Sequence, residues 1–262
     1  MAGKMINNIK RSQTTIFIII AVIIVAGVAL FFIIMSKTKP TMQRPSMDNP
    51  QAYIEQCAQD AALKAIEIML PQGGWINPTN YKLYEDTKIA YLCYTNLFYK
   101  SCTMQEPLYI KHLNDEITSY VNSKIDECFN NLKTELENKK YNVYMESMNV
   151  TTELSKNAVR INIKRKLTIE RNGESRKFDS FNSVFNTPIY NLAIVAQEIA
   201  NQEAKYCTFE YIGYMIFYPE YNITKKSIGQ GIEASKIYKI QDRYTGKKLN
   251  IAIRSCAIPA GF

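Results

Sequence analysis

The sequence predicts an α+β protein in which one N-terminal transmembrane helix precedes a disulfide-stapled extracytoplasmic domain of antiparallel strands and amphipathic helices. Three observations predict it. Residues 16–35 read IFIIIAVIIVAGVALFFIIM and carry no charge. All six cysteines, Cys57, Cys93, Cys102, Cys128, Cys207 and Cys256, lie beyond that run. Downstream, apolar residues step by three and four in some stretches and alternate in others, the periods of helices and strands. The expected organisation is a cytoplasmic tail (1–12), a signal-anchor helix (13–36), a linker (37–48) and a domain (49–262), the last with a helical part (49–140) and a strand-rich part (141–262).

The apolar run sets the frame. Twenty residues at about 1.5 Å each match a bilayer core of about 30 Å. Fifteen of the twenty are Ile, Val, Leu or Phe, and at roughly −0.3 to −0.6 kcal/mol apiece their insertion sums to the order of −5 kcal/mol or better. A cleaved secretory signal has a shorter apolar region, about 7–15 residues, and a small-x-small site after it. Here Ser36-Lys37-Thr38-Lys39-Pro40 follows instead, which favours a permanent anchor. Lys10-Arg11-Ser12-Gln13 resembles the processing site of archaeal type IV pilins and archaellins, with Ser12 where Gly or Ala usually stands. That likeness implies a second reading, a pilin-like subunit whose mature chain starts at Gln13.

Charge leaves orientation nearly tied, with Lys4, Lys10 and Arg11 before the run and Lys37, Lys39 and Arg44 after it. The cysteines break the tie. An even number confined to one side of an anchor points to disulfides in an oxidising compartment, which places the large domain outside the cell. Three of the 32 Lys and Arg precede the anchor, leaving 29 against 24 Asp and Glu beyond it. So mild an excess is typical of a solvated surface rather than of a nucleic-acid binder, and no nucleic-acid partner is expected.

Residues 36–48, SKTKPTMQRPSMD, lack apolar periodicity and read as the linker. Asn49-Pro50 supplies a cap and a first-turn proline for a helix, with Tyr53, Cys57, Leu63, Ile66, Met69 and Leu70 at helical spacing. Pro71-Gln72-Gly73-Gly74 ends it, and Trp75 reads as a core or interface plug. Residues 88–102 read as a hairpin, KIAYLCY and LFYKSC about Thr95-Asn96, with Cys93 and Cys102 either clasped across the arms or facing opposite ways. Residues 106–139 form the clearest amphipathic helix: Ile110, Leu113, Ile117, Tyr120, Val121, Ile125, Cys128, Leu132 and Leu136 make its stripe. Cys57 and Cys128 both sit on helix stripes, and packing of the two helices would join them.

Strands follow at 141–152 and 158–170, the second with Ile161, Ile163, Leu167 and Ile169 on one face. Arg165 interrupts that face, either as the inward charge of an edge strand or at a bulge. Asn172-Gly173 is a hairpin turn, and Phe178, Phe181 and Phe185 lie on the returning arm. Pro188 opens a third helix, to about Tyr206, with Leu192, Val195, Ala196 and Ile199 inward. A strand over 213–218, a polar stretch to Ser235 and a hairpin of 235–240 with 249–255 complete the chain. Among 15 pairings, this reading selects Cys57–Cys128, Cys93–Cys102 and Cys207–Cys256, the last by elimination.

Catalytic chemistry is thinly provided. The one histidine, His112, neighbours Asp115, Glu116 and Ser119 on consecutive turns of one helix. That arrangement lacks the converging geometry of a triad and reads as a solvated helix face. Asp126, Glu127, Glu135 and Glu137 read likewise, and Lys164-Arg165-Lys166 reads as ordinary strand. No P-loop, GxGxxG, GxSxG or HExxH occurs, and no CxxC or HxxxH pairing offers a metal site. No catalytic, cofactor or metal residue is therefore assigned. Asn149-Val150-Thr151 and Asn222-Ile223-Thr224 are sequons, making Asn149 and Asn222 candidate glycosylation acceptors.

Several phrases together carry a family likeness: KRSQTTIFIII, QAYIEQCAQDAALKAIEIMLPQGGW, IAYLCYTN, QEPLY, EITSYVNSKIDEC and IAIRSCAIPAG. The chain is similar over nearly its whole length to a group of single-pass membrane proteins of small-genomed archaea of the DPANN kind. In that group a cysteine on the first soluble helix, a Gln-Gly-Gly after it and a cysteine late in the next long helix recur, here Cys57, Gln72-Gly73-Gly74 and Cys128. The resemblance implies an envelope protein with an extracytoplasmic α+β domain, and no activity or catalytic residue. The expected role is a non-enzymatic surface or envelope interaction protein in contact with the lipid bilayer and envelope proteins. The alternatives are the pilin-like subunit and an extracellular ligand-binding protein or hydrolase without a recognisable motif.

Overall fold

The computed structural model describes residues 17–28 and 49–261. Residues 17–28 form a helix, α1, with every position exposed; twelve residues extend about 18 Å. Among the described residues no helix is long and apolar enough to cross a membrane. The rest of the expected span, the 1–12 tail and the linker up to Asp48 lie outside them. The chain divides into two compact units, Met1–Arg44 and Pro45–Phe262, and the second is an α+β domain.

It opens with α2 (Pro50–Met69), capped where the Asn49 side chain accepts from the Ala52 amide at 3.3 Å. Its buried face is Ile54, Ala58, Ala61, Ala62, Ala65, Ile66 and Met69. That stripe is offset from the expected one and built mostly of alanine, which lets a helix approach its neighbours closely. A 3-10 turn (Leu70–Gln72) leads into Gly73 and Gly74, both at positive φ. Then come β1 (Tyr81–Tyr84), β2 (Thr87–Tyr94) and the short β3 (Thr103–Met104).

The expected 88–102 hairpin does not form. The antiparallel partner of β2 is β1, turned through Glu85 and Asp86 at positive φ. Only β3 returns, opposite Cys93 and Tyr94. Residues 97–102 pair elsewhere: the Tyr99 amide donates to the Ala257 carbonyl and the Cys256 amide to the Lys100 carbonyl. The chain's last segment competes for the groups a hairpin would have used.

Helix α3 (Tyr109–Asn138) buries Leu113, Ile117, Val121, Ile125, Phe129, Leu132 and Leu136. Strands β4 (Asn142–Met145) and β5 (Asn149–Ser155) replace the single strand expected over 141–152, and both pair with one edge of β6 (Ala158–Arg171). β7 (Glu174–Asn186) returns through Asn172-Gly173 along the other edge. β6 is therefore internal, and Arg165 sits at a register shift between Lys164 and Leu167. The bulge turns its guanidinium to Asp126 at 2.7 Å, to the Glu146 carbonyl at 3.0 Å and over the Phe129 ring.

Helix α4 (Ile189–Tyr206) begins one residue after Pro188, as expected. The strand expected over 213–218 is instead helix α5 (Tyr211–Phe217), started by the Glu210 carboxylate accepting from the amides of Ile212 and Gly213. A short apolar run has no periodicity of its own to separate the two states. The stretch expected to be merely polar contains β8 (Tyr221–Ile228), whose inward residues are Tyr221 and Ile223; Lys226 is exposed, as suits an edge, while the half-buried Lys225 lies over the Tyr211 ring. β9 (Ser235–Asp242) and β10 (Lys248–Arg254) form the final hairpin.

Two sheets result. One runs β1-β2-β10-β9-β8, with β3 beside β2; the other is β4 and β5 on one side of β6 and β7 on the other. The first is mixed rather than wholly antiparallel, because β10 lies parallel to β2. Strands from both halves of the chain thus share one sheet. Helices α2 and α3 pack on the smaller sheet and α4 on the larger, around one main apolar core.

Candidate functional site

The six cysteines come together in the three expected pairs. Cα separations are 6.6 Å for Cys57–Cys128, 5.4 Å for Cys93–Cys102 and 5.7 Å for Cys207–Cys256. Cys93 and Cys102 are buried, whereas the other four are half-buried. The Cys57 and Cys128 sulfurs sit at the flank of the α2–α3 contact rather than its centre. Asn149 is exposed at the start of β5, and Asn222 is half-buried on the edge strand β8 with Thr224 exposed.

His112 is not on a solvated face. Its ring lies against Trp75 with centroids 4.2 Å apart and planes tilted by 40°, and Nε2 lies 3.1 Å from the Gly74 carbonyl. Glu116, one turn on, accepts from the Ile76 amide at 2.9 Å, while the buried Tyr109 hydroxyl donates to the Gly73 carbonyl at 2.8 Å. Together these side chains clamp the turn after α2. Asp115 pairs instead with Lys111, so no triad forms. Asp126 is half-buried against Arg165, whereas Glu127, Glu135 and Glu137 pair with lysines along α3.

Beneath the Cys207–Cys256 disulfide lies a polar cluster that sequence reasoning did not find. Glu203 on α4 is wholly buried. Its carboxylate accepts from Lys236 Nζ at 2.7 Å and from the Tyr238 hydroxyl at 2.5 Å. Lys236 also donates to the Cys207 carbonyl. The Ser255 hydroxyl donates to the Glu203 carbonyl at 2.9 Å and accepts from the Cys102 amide at 3.2 Å. Burial first, and Glu203 second, raise the Tyr238 hydroxyl above the ordinary tyrosine range. A cavity of about 320 Å³ borders this cluster at Lys236, Ser255 and Cys256. Lys236, Tyr238 and Ser255 tie the larger sheet to Glu203 on α4, an arrangement that fastens the disulfide in place.

A broad concave surface lies between α4, α5 and the β8–β9 end of the sheet. It comprises two adjoining hollows of about 590 and 630 Å³, which share Ile194, Tyr214 and Tyr218. Tyr190, Tyr221 and Tyr244 complete a lining of five tyrosines. The rings of Tyr214 and Tyr218 are 4.5 Å apart at 32°, forming one wall of the groove. Glu198, Glu220 and Asp242 bring carboxylates to it, and Lys156 is the one basic lining residue. Desolvation first, then Tyr218, Tyr221, Glu198 and Glu220, push the Tyr214 hydroxyl up to about 12; burial, then Glu220 and Asp242, raise Tyr221.

No family model, curated protein or solved structure matches the chain.

The groove was hidden in the sequence because its tyrosines come from α4, α5, β8 and the β9–β10 turn. The available signal was the four-residue spacing of Tyr214 and Tyr218, which makes their rings neighbours only when residues 211–217 are helical; in a strand the same spacing sets them about 13 Å apart.

Proposed function

We propose that this chain is a membrane-anchored extracytoplasmic envelope protein whose domain binds a partner rather than turning over a substrate. The observation that carries the reading is the pairing of all six cysteines, with no free thiol among the described residues. Three such links belong to an oxidising compartment, and the uncharged 16–35 run supplies a way to hold the domain there. The tyrosine-lined groove supports interaction as the role, since tyrosine gives large contact area with a polar tip. On this reading the partners are the lipid bilayer and other envelope or surface proteins, and the likeness to the archaeal single-pass group points the same way.

The test is fractionation of native membranes under an alkaline wash, followed by N-terminal sequencing. The chain is expected in the membrane pellet with its Met1 region intact. Release into the wash contradicts the anchor. A mature chain beginning at Gln13 supports the pilin-like reading, which rests on Lys10-Arg11-Ser12-Gln13.

A further inference from the structure

We propose that the tyrosine-lined groove between α4, α5 and β8 binds an extended basic segment of a partner protein, seating Lys or Arg side chains between tyrosine rings and carboxylates. The inference rests on the reading of the domain as an interaction module and adds the chemistry of the partner.

Charge is the first argument. The chain is basic, with 32 Lys and Arg against 24 Asp and Glu, yet the groove is lined by three carboxylates and one lysine. None of the three is in an ion pair among the described residues. Glu198 accepts only from the Gln202 amide, at 2.6 Å. Asp242 is 7% exposed, and both hydrogen bonds it accepts, from the Thr245 amide and hydroxyl, fall on Oδ1. Its Oδ2 has no hydrogen-bond partner among the described residues. Where cations are this plentiful, carboxylates left unpaired around one groove match a cation brought from outside.

Aromatic geometry is the second. Tyr218 is 46% exposed and Tyr244 86% exposed, so ring faces are open to a ligand. Such faces attract ammonium and guanidinium groups, guanidinium most often. Carboxylates beside them add charge-assisted hydrogen bonds, which the planar guanidinium takes in pairs. Burial is the main cause of the raised Tyr214 and Tyr221 hydroxyls, and the neighbouring Glu198, Glu220 and Asp242 add to it. Size is the third argument. Each hollow exceeds what one cationic head needs, and two in series with a shared Tyr214–Tyr218 wall suit successive side chains along a peptide rather than a single small amine.

The experiment titrates the full chain in detergent micelles with a fluorescein-labelled Arg-Gly-Ser tetrarepeat peptide and follows anisotropy. Saturable binding is expected. It should weaken by at least about tenfold when arginine is replaced by citrulline in the probe, and by a similar factor in E198Q/E220Q and in Y218A. E127Q/E137Q, which removes the same charge from the outer face of α3, should bind like the wild type. Absence of saturable binding overturns the proposal. So does an equal loss in E127Q/E137Q, which would mean diffuse attraction. Saturable binding of a labelled N-acetylglucosamine hexamer, lost in Y218A but kept in E198Q/E220Q, replaces the basic peptide by a glycan. That last outcome overturns the ligand class while leaving the interaction role standing. Circular dichroism of each variant confirms that its fold is retained.

Discussion

Replacing Cys57 and Cys128 together by alanine removes the link between α2 and α3, which closes a sequence separation of 71 residues. In the chain-entropy account a link of that span restricts the unfolded chain by about 4 kcal/mol, a large share of the roughly 5–15 kcal/mol that holds an ordinary domain folded. Native-state losses should add little. Both cysteines are half-buried at the flank of the helix pair, and the fully buried face from Ile54 to Met69 is untouched by the change. The effect should therefore act through the unfolded ensemble. Urea unfolding of C57A/C128A beside the oxidised wild type tests this. The midpoint should fall by the equivalent of about 4 kcal/mol, and the urea dependence should steepen as the unfolded chain expands. The contrast is C93A/C102A. Its separation of 9 residues gives only about 3 kcal/mol from chain entropy, with any further loss coming from the void left by two buried sulfurs. A loss below about 1 kcal/mol in C57A/C128A, with unchanged urea dependence, would refute the reasoning.

Gly74→Ala should cost roughly 2–5 kcal/mol, because the backbone is left-handed there at φ +92° and a Cβ would meet the Tyr109 hydroxyl and Leu113, both buried. Denaturation showing under about 1 kcal/mol would mean the turn relaxes freely. Arg254→Met should cost roughly 2–4 kcal/mol, since its buried guanidinium serves the carbonyls of Ile232, Thr95 and Leu97, which would then be orphaned. An unchanged urea midpoint would show that water reaches those carbonyls. Alkali should destabilise the domain. Unfolded tyrosines lose their protons near pH 10, whereas folded Tyr214 holds its proton to about pH 12 and Tyr109, Tyr221 and Tyr238 are also raised. The unfolded state therefore binds fewer protons above pH 10, and stability is whole below that value and lost as pH climbs through the window. Unfolding midpoints that stay level between pH 10 and pH 12 would contradict it.

The long elements were legible because their periods are long. Helix α3 repeats its apolar step over eight turns, and β6–β7 is announced by Asn172-Gly173, the turn residues such a hairpin demands. Cys57–Cys128 follows from helix stripes and Cys207–Cys256 from elimination, whereas Cys93–Cys102 rests on a hairpin that does not form as expected, and its pairing holds because β3 returns opposite Cys93. Short elements were not legible. The β1–β2 turn uses Glu85 and Asp86 at positive φ with no glycine to mark it, and α5 depends on a cap from Glu210 that spacing alone does not reveal. The 88–102 hairpin failed for a tertiary reason, since residues 97–102 bond to the end of the chain more than 150 residues away. Both the groove and the Glu203 cluster are assembled from distant segments, so only their constituents were visible, never their meeting.

The proposed location of the domain is a compartment where thiols are oxidised. It is tested most directly by treating intact cells with a membrane-impermeant thiol reagent, blocking all remaining thiols on lysis, and mapping the peptides without reductant. Three linked peptide pairs are expected, Cys57 with Cys128, Cys93 with Cys102 and Cys207 with Cys256, and no alkylated cysteine. Six alkylated cysteines, reached only after the cells are opened, would contradict it.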